Sequence, residues 1–330
     1  MEFARRALIG ERALAAVALA AALGAAWAEA GTTLAQRRND GRPWLAWVEA
    51  RERGSDRPPA LLLADYDPSA RRLSLLHVPG AALLEPRRTV ERAYLDALAA
   101  GGDDAAAARA AEDLAEARLR ALSPESIPAV SGRLGVELAP RADEDEPAAE
   151  AALALKAAAR SPRGWARLLR GAARGLARGD RAALEPLLFE LELRRVSVEN
   201  VEAARLPDDA LAPDLLGRFF ASAPPPDDGR AVTVEILNAT PEPGLASRAA
   251  KMLKSKGIDV LALGAARART RTLVYDRVGV FRRAAFVRAA LDCPTARAVT
   301  RVDPARAVDV SVELGSDCAA APEPNGSRRP

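Results

Sequence analysis

The chain holds one histidine, His77, in the stretch RRLSLLHVPGAALL at residues 71–84. An imidazole does acid–base work when a Ser, Cys or carboxylate sits within reach and orients it. Leu76 and Val78 flank His77, so the plain alternative is a partly buried structural residue. Zinc needs several His or Cys ligands at short spacing. One His and two cysteines, Cys293 and Cys318, offer no such cluster, and no metal site is expected from protein ligands. In an oxidising compartment Cys293 and Cys318 can pair, whereas in the cytosol two free thiols are expected. Asn238 and Thr240 end an apolar run and are candidates for contact with a glycan, or else satisfy local backbone groups. Gly244, in PEPGLA, opens a helix whose free N–H groups could face an anion, or simply turns the chain behind Pro243. Arg267, Arg269 and Arg271 alternate in RARTRT as the chain enters a strand. Three guanidinium groups on one face would suit phosphate or carboxylate, or would protect a solvated edge strand.

The elements around these residues follow from pattern. Residues 60–64 and 73–78 read as two strands of a hairpin closed by Asp67-Pro68-Ser69. Residues 89–122 read as two helices divided by Gly101-Gly102, with Asp103 or Asp104 as a cap. Residues 148–180 read as helix, and its second part carries Trp165, Leu168, Leu169, Ala172, Ala173 and Leu176 on one stripe. Arg163, Arg167, Arg170, Arg174 and Arg178 decorate the opposite face, which suits an anionic membrane surface or a phosphate head group, or ordinary solvent. A helix over 182–194 and a strand over 201–206 follow. Three prolines make 221–230 a linker. Residues 231–318 run strand, helix and strand twice, then end in one further strand. That order predicts a small α/β domain with a mixed sheet and right-handed crossovers.

Composition narrows the function classes. The net charge is +3, from 48 basic and 45 acidic residues, so no field steers a polyanion and no nucleic-acid partner is expected. Four lysines among so many arginines point to coding bias rather than a nucleic-acid surface. Arg5, Arg6 and Arg12 precede the uncharged run 13–28, which predicts a single-pass anchor with the bulk of the chain extracytoplasmic. Ala26-Trp27-Ala28 also reads as a signal-peptidase site, giving a secreted or periplasmic chain, and a buried helix of a cytosolic protein is the third reading. The expected organisation is an anchor or signal at 1–30, a polar stalk at 31–57, one α/β domain at 58–220, the linker, a second α/β domain at 231–318 and a disordered tail at 319–330.

The stretch VEILNATPEPGLASRAAKMLKSKGIDVLALG resembles the C-terminal domain of LytR-type cell-envelope proteins. Asn238, Thr240, Gly244, Leu245, Ala246 and Gly257 fall at that family's motif positions, and TLVYDR and VELGSDC fit its later part. With that match in hand, PPALLLADYDPSARRLSLLHVPGAALL resembles the opening of a LytR–CpsA–Psr domain, diverged. RAYLDALAAGGDD and ENVEAARLP are similar to its helix pair and its final strand. The resemblance implies binding of a polyprenyl-pyrophosphate sugar and transfer of its glycan to a wall polymer, with arginines, aspartates and Mg²⁺ neutralising the leaving diphosphate. Asp56 would then match the metal-side aspartate. Gly80 and Ala81 stand where the family has Arg and Asp, so the implied site, with Asp56, His77, Gly80 and Ala81, is degenerate. The expectation is a non-catalytic envelope protein without cofactor, binding an envelope glycan or envelope proteins as a scaffold. The alternatives are an active transferase using Mg²⁺ and other arginines, such as Arg87, Arg88 or Arg163, and a transcriptional attenuator.

Overall fold

The computed structural model describes residues 30–319 except 81–82, 86–87, 124–126, 128, 139–145, 159–160, 198–199, 208–209 and 221–229. The first half contains α1 (Thr33–Asn39), β1 (Trp44–Glu52), β2 (Ala60–Asp67), β3 (Arg72–Val78), β4 (Leu83–Glu85), β5 (Arg88–Thr89), α2 (Val90–Ala99), α3 (Asp104–Leu122) and β6 (Gly132–Leu138). It continues through α4 (Pro147–Ala158), α5 (Pro162–Ala177), a 3-10 turn (Ala182–Leu184), α6 (Glu185–Leu193), β7 (Val201–Arg205) and α7 (Ala212–Phe219). The second half is β8 (Thr233–Asn238), α8 (Leu245–Ser255), β9 (Asp259–Ala265), β10 (Leu273–Asp276), α9 (Phe281–Ala290), β11 (Arg297–Thr300), β12 (Val310–Leu314) and α10 (Ser316–Ala319).

Local chemistry sets the turns. Asp67 Oδ1 accepts from the Ser69 and Ala70 amides at 2.8 and 3.0 Å, which folds β3 back on β2 with Leu63 opposite Leu76 and Asp65 opposite Ser74. Gly101 takes φ +86°, and Asp103 caps α3 by accepting from the Ala106 amide at 2.8 Å. Helix α5 starts separately from α4, with Ser161 as its cap and Pro162 in its first turn.

Residues 31–57 are not a stalk. They form α1 and β1, and β1 lies between β2 and β6 with Trp44, Leu45, Ala46, Trp47 and Val48 all buried. Burying large apolar side chains contributes about 1.5–3 kcal/mol each, so this short run outweighs its polar flanks. Strand β6 joins the edge beyond β1 with strictly alternating burial.

The described residues form one mixed sheet of ten strands in the order β6-β1-β2-β3-β7-β11-β10-β12-β8-β9, and β4 and β5 pair apart from it. One face of the first half carries Leu63, Leu76 and Ala204 under α2, α3 and α7. The other carries Leu62, Leu75 and Ala203 under α4 and α6. In the second half β8 and β9 are parallel across α8, β10 and β11 are parallel across α9, and β12 runs antiparallel to β10. The two halves are joined through the sheet, because β7 pairs with β11 at Ala204 and Thr300. Two carboxylates reinforce this seam. Glu146 takes Arg205 at 3.6 Å and Arg301 at 3.8 Å, and Glu150 takes Arg271 at 3.2 Å and Arg297 at 3.8 Å.

Candidate functional site

The end of the sheet where β1 and β3 finish and β2 begins opens into a cleft of about 530 Å³. His77 and Gly80 both line it, with Glu49, Glu52, Arg57, Glu91 and Tyr94. His77 is buried at the end of β3, opposite Leu62 of β2 and Arg205 of β7. Asp56 lies in the exposed β1–β2 loop and does not line the cleft, and Ala81 lies outside the described residues, as does Arg87. The structure therefore brings together two of the four residues of the implied transferase site.

The charge of the cleft is acidic. Among the described residues, three carboxylates line it against one guanidinium, that of Arg57. The Glu91 amide donates to the Gly80 carbonyl at 3.1 Å, and a Cβ at position 80 would sit 3.7 Å from Glu91 Oε2. Beside the cleft, Arg51 is engaged by Asp104 at 2.9 Å and Glu49 at 3.3 Å, and the Tyr94 hydroxyl donates to Asp104 at 2.7 Å. Where the resemblance would place a cation, position 80 sits against Glu91, and Arg51 beside the cleft is already paired. Sequence reading missed Glu49, Arg51 and Glu91. Had β1 been read as a strand, alternation would have placed Glu49 and Arg51 on the same face as Trp47.

Among the described residues, the carboxylates of the cleft do not gather three ligand atoms within reach of one ion. The one group of three metal-capable side chains within mutual reach is Cys293, Asp317 and Cys318. Its two sulfurs are joined in a disulfide, with Cα atoms 5.4 Å apart.

A second polar cluster crosses the sheet under α7. Asp65 of β2 faces Ser74 of β3, which faces Glu202 of β7. Burial raises the Asp65 carboxyl to about 7; Arg72 opposes the shift and Asp67 and Glu202 add to it. Burial also raises Glu202 and Asp276.

In the second half, the strand-end residues serve their own loop. Asn238 Oδ1 accepts from the Thr240 amide and hydroxyl at 3.0 and 2.8 Å, and its Nδ2 donates to the Glu242 carbonyl at 2.7 Å. Gly244 caps α8 at φ +79°, a backbone state that favours glycine. Arg267, Arg269 and Arg271 do not share one face. Residues 266–272 precede rather than enter a strand, and β10 lies inside the sheet rather than at its edge. Arg267 is exposed, Arg269 pairs with Glu313 at 2.6 Å, and Arg271 crosses to Glu150 of α4.

With this geometry in place, residues 231–317 match the sequence model of the family described as LytR cell envelope-related transcriptional attenuator. Those residues are a LytR C-terminal domain. No curated protein matches the chain. Among solved structures, the solution structure of the C-terminal domain of RV0431 is 24% identical, covers 29% of this chain and 80% of its own, and has a TM-score of 0.20. A domain of this family suggests a cell-envelope-associated role. No family match covers residues 58–220. Among the described residues no helix is long and apolar enough to cross a membrane, and residues 1–29, read above as anchor or signal, lie outside them.

Proposed function

We propose that the chain is a non-catalytic cell-envelope protein that acts by binding, its first half a diverged LytR–CpsA–Psr-like domain held against a LytR C-terminal domain. One observation supports this reading: among the described residues, the cleft at His77 and Gly80 is lined by three carboxylates and one arginine. Transfer from a lipid diphosphate requires cations around the developing charge, and losing one such contact commonly costs about 10²–10³ in rate. Envelope glycan or envelope proteins are the proposed partners. The proposed location is the cytoplasmic membrane with the bulk of the chain extracytoplasmic, through the apolar run at 13–28.

The test uses the full chain with purified cell-wall sacculi. Saturable co-sedimentation is expected, with no release of polyprenyl diphosphate from a lipid-linked sugar in Mg²⁺. Turnover that continues over many equivalents would contradict the non-catalytic reading, and absence of sedimentation would remove glycan as the partner.

A further inference from the structure

Helix α5 leaves two leucines of the first half exposed, Leu169 and Leu176. Between residues 162 and 178 it carries five arginines and no Asp or Glu. Ala172 is buried against Leu184 of the 3-10 turn, and Gly175 is needed there because a Cβ would collide with that of Ala183. That contact covers only one side of the apolar stripe. Leu169 and Leu176 are 52% and 40% exposed. With exposed Ala166 and Ala173 they form a shoulder between the buried stripe and the arginine face. Arg170, Arg174 and Arg178 are exposed; Arg170 and Arg178 donate back to their own helix at Ala166 and Arg174. No carboxylate pairs with these three among the described residues.

A separate observation places the start of the described chain on the helix that follows α5. The Thr33 amide donates at 2.8 Å to Glu185, the first residue of α6, directly after the 3-10 turn that packs on α5. Arg38 pairs with Glu192 at the far end of α6 at 3.2 Å. The chain that follows the N-terminal apolar run therefore enters the fold on the same helical layer that carries α5.

We propose that α5 is an in-plane membrane helix whose exposed leucines enter the headgroup boundary of an anionic bilayer while Arg170, Arg174 and Arg178 meet the lipid phosphates. A helix with leucines on one shoulder, arginines on the next and no acidic residue matches the chemistry of an interfacial anchor. Each arginine near an anionic surface strengthens attachment, and the effect is screened by salt. The orientation rests on the membrane-anchor reading, whereas the charge and exposure of α5 do not.

The experiment is hydrogen exchange of residues 162–177 in the full chain reconstituted in vesicles of phosphatidylcholine alone or with phosphatidylglycerol added. Exchange in this segment should slow by about tenfold only in the anionic vesicles. The slowing should fall with high salt and disappear in the Arg170→Glu/Arg174→Glu variant, which alters exposed residues and leaves the fold intact. Leu169→Ser/Leu176→Ser should lose it as well. Equal exchange in both vesicle types would overturn the proposal. Concentration-dependent protection without lipid would also overturn it, assigning the shoulder to a second copy. Normal incorporation of the chain with α5 unprotected would sink this proposal while leaving the envelope reading standing.

Discussion

At the scale of single residues, the chemistry is set by which charges burial leaves in contact. Asp65 is the clearest case: its Oδ1 is buried with no hydrogen-bond partner among the described residues, and its carboxyl titrates at about 7. Between the ordinary value of 3.8 and about 7, the folded chain holds a proton that the unfolded chain has released. The contribution of Asp65 is therefore full below the unfolded value and is lost as pH rises through the folded one. Asp65→Asn removes this loss. The variant should be more stable than the parent at pH 8 by about 4 kcal/mol, with the difference closing near pH 4; urea unfolding at both pH values checks it. Part of this scale was legible in the sequence. The burial of His77 was legible from Leu76 and Val78 on either side of it. Glu91 beside Gly80 was not visible, because an amide–carbonyl contact across eleven residues depends on where α2 docks.

At the scale of elements, turn and cap residues were the readable part. Asp67, Gly101 and Asp103 each act on backbone within three residues, so the β2–β3 hairpin and the α2–α3 pair could be drawn from local pattern. Strand β1 was missed because its apolar run is short and flanked by Arg, Gly and Asp, and only β2 and β6 on either side make it a core strand. The LytR C-terminal domain is held by two devices of comparable weight. Asp309 is buried and accepts from Arg283 and Arg230 at 2.6 Å each and from the Thr233 amide at 3.0 Å. Burial opposes its charge, but these hydrogen bonds and cations win and hold its carboxyl below the ordinary range. Asp309→Ala removes the carboxylate shared by Arg283 and Arg230 from a buried site and should cost about 3–5 kcal/mol in chemical denaturation. The Cys293–Cys318 bond closes a 25-residue separation and ties the α9–β11 loop to α10. Cys293→Ser/Cys318→Ser should cost about 2–4 kcal/mol by the same measurement.

At the scale of the whole molecule, two modules that read as separate in sequence share one sheet. The join at Ala204 and Thr300 and the pairs from Glu146 and Glu150 to Arg205, Arg271, Arg297 and Arg301 mostly link residues far apart in the chain. No local pattern reports such contacts, which is why a linker at 221–230 suggested independent domains. Calorimetry of the full chain should show one cooperative transition. Glu146→Gln/Glu150→Gln should broaden or split it, whereas two well-separated transitions in the parent would show that the seam does not couple the halves.

The central claim is that the cleft at His77 does not hold a diphosphate. Because His77 is the only histidine in the chain, its ring signals in a nuclear magnetic resonance titration report that cleft without ambiguity. Adding Mg²⁺ and inorganic diphosphate to the full chain should leave those signals in place up to about millimolar concentration. A saturable shift at micromolar diphosphate would contradict the claim.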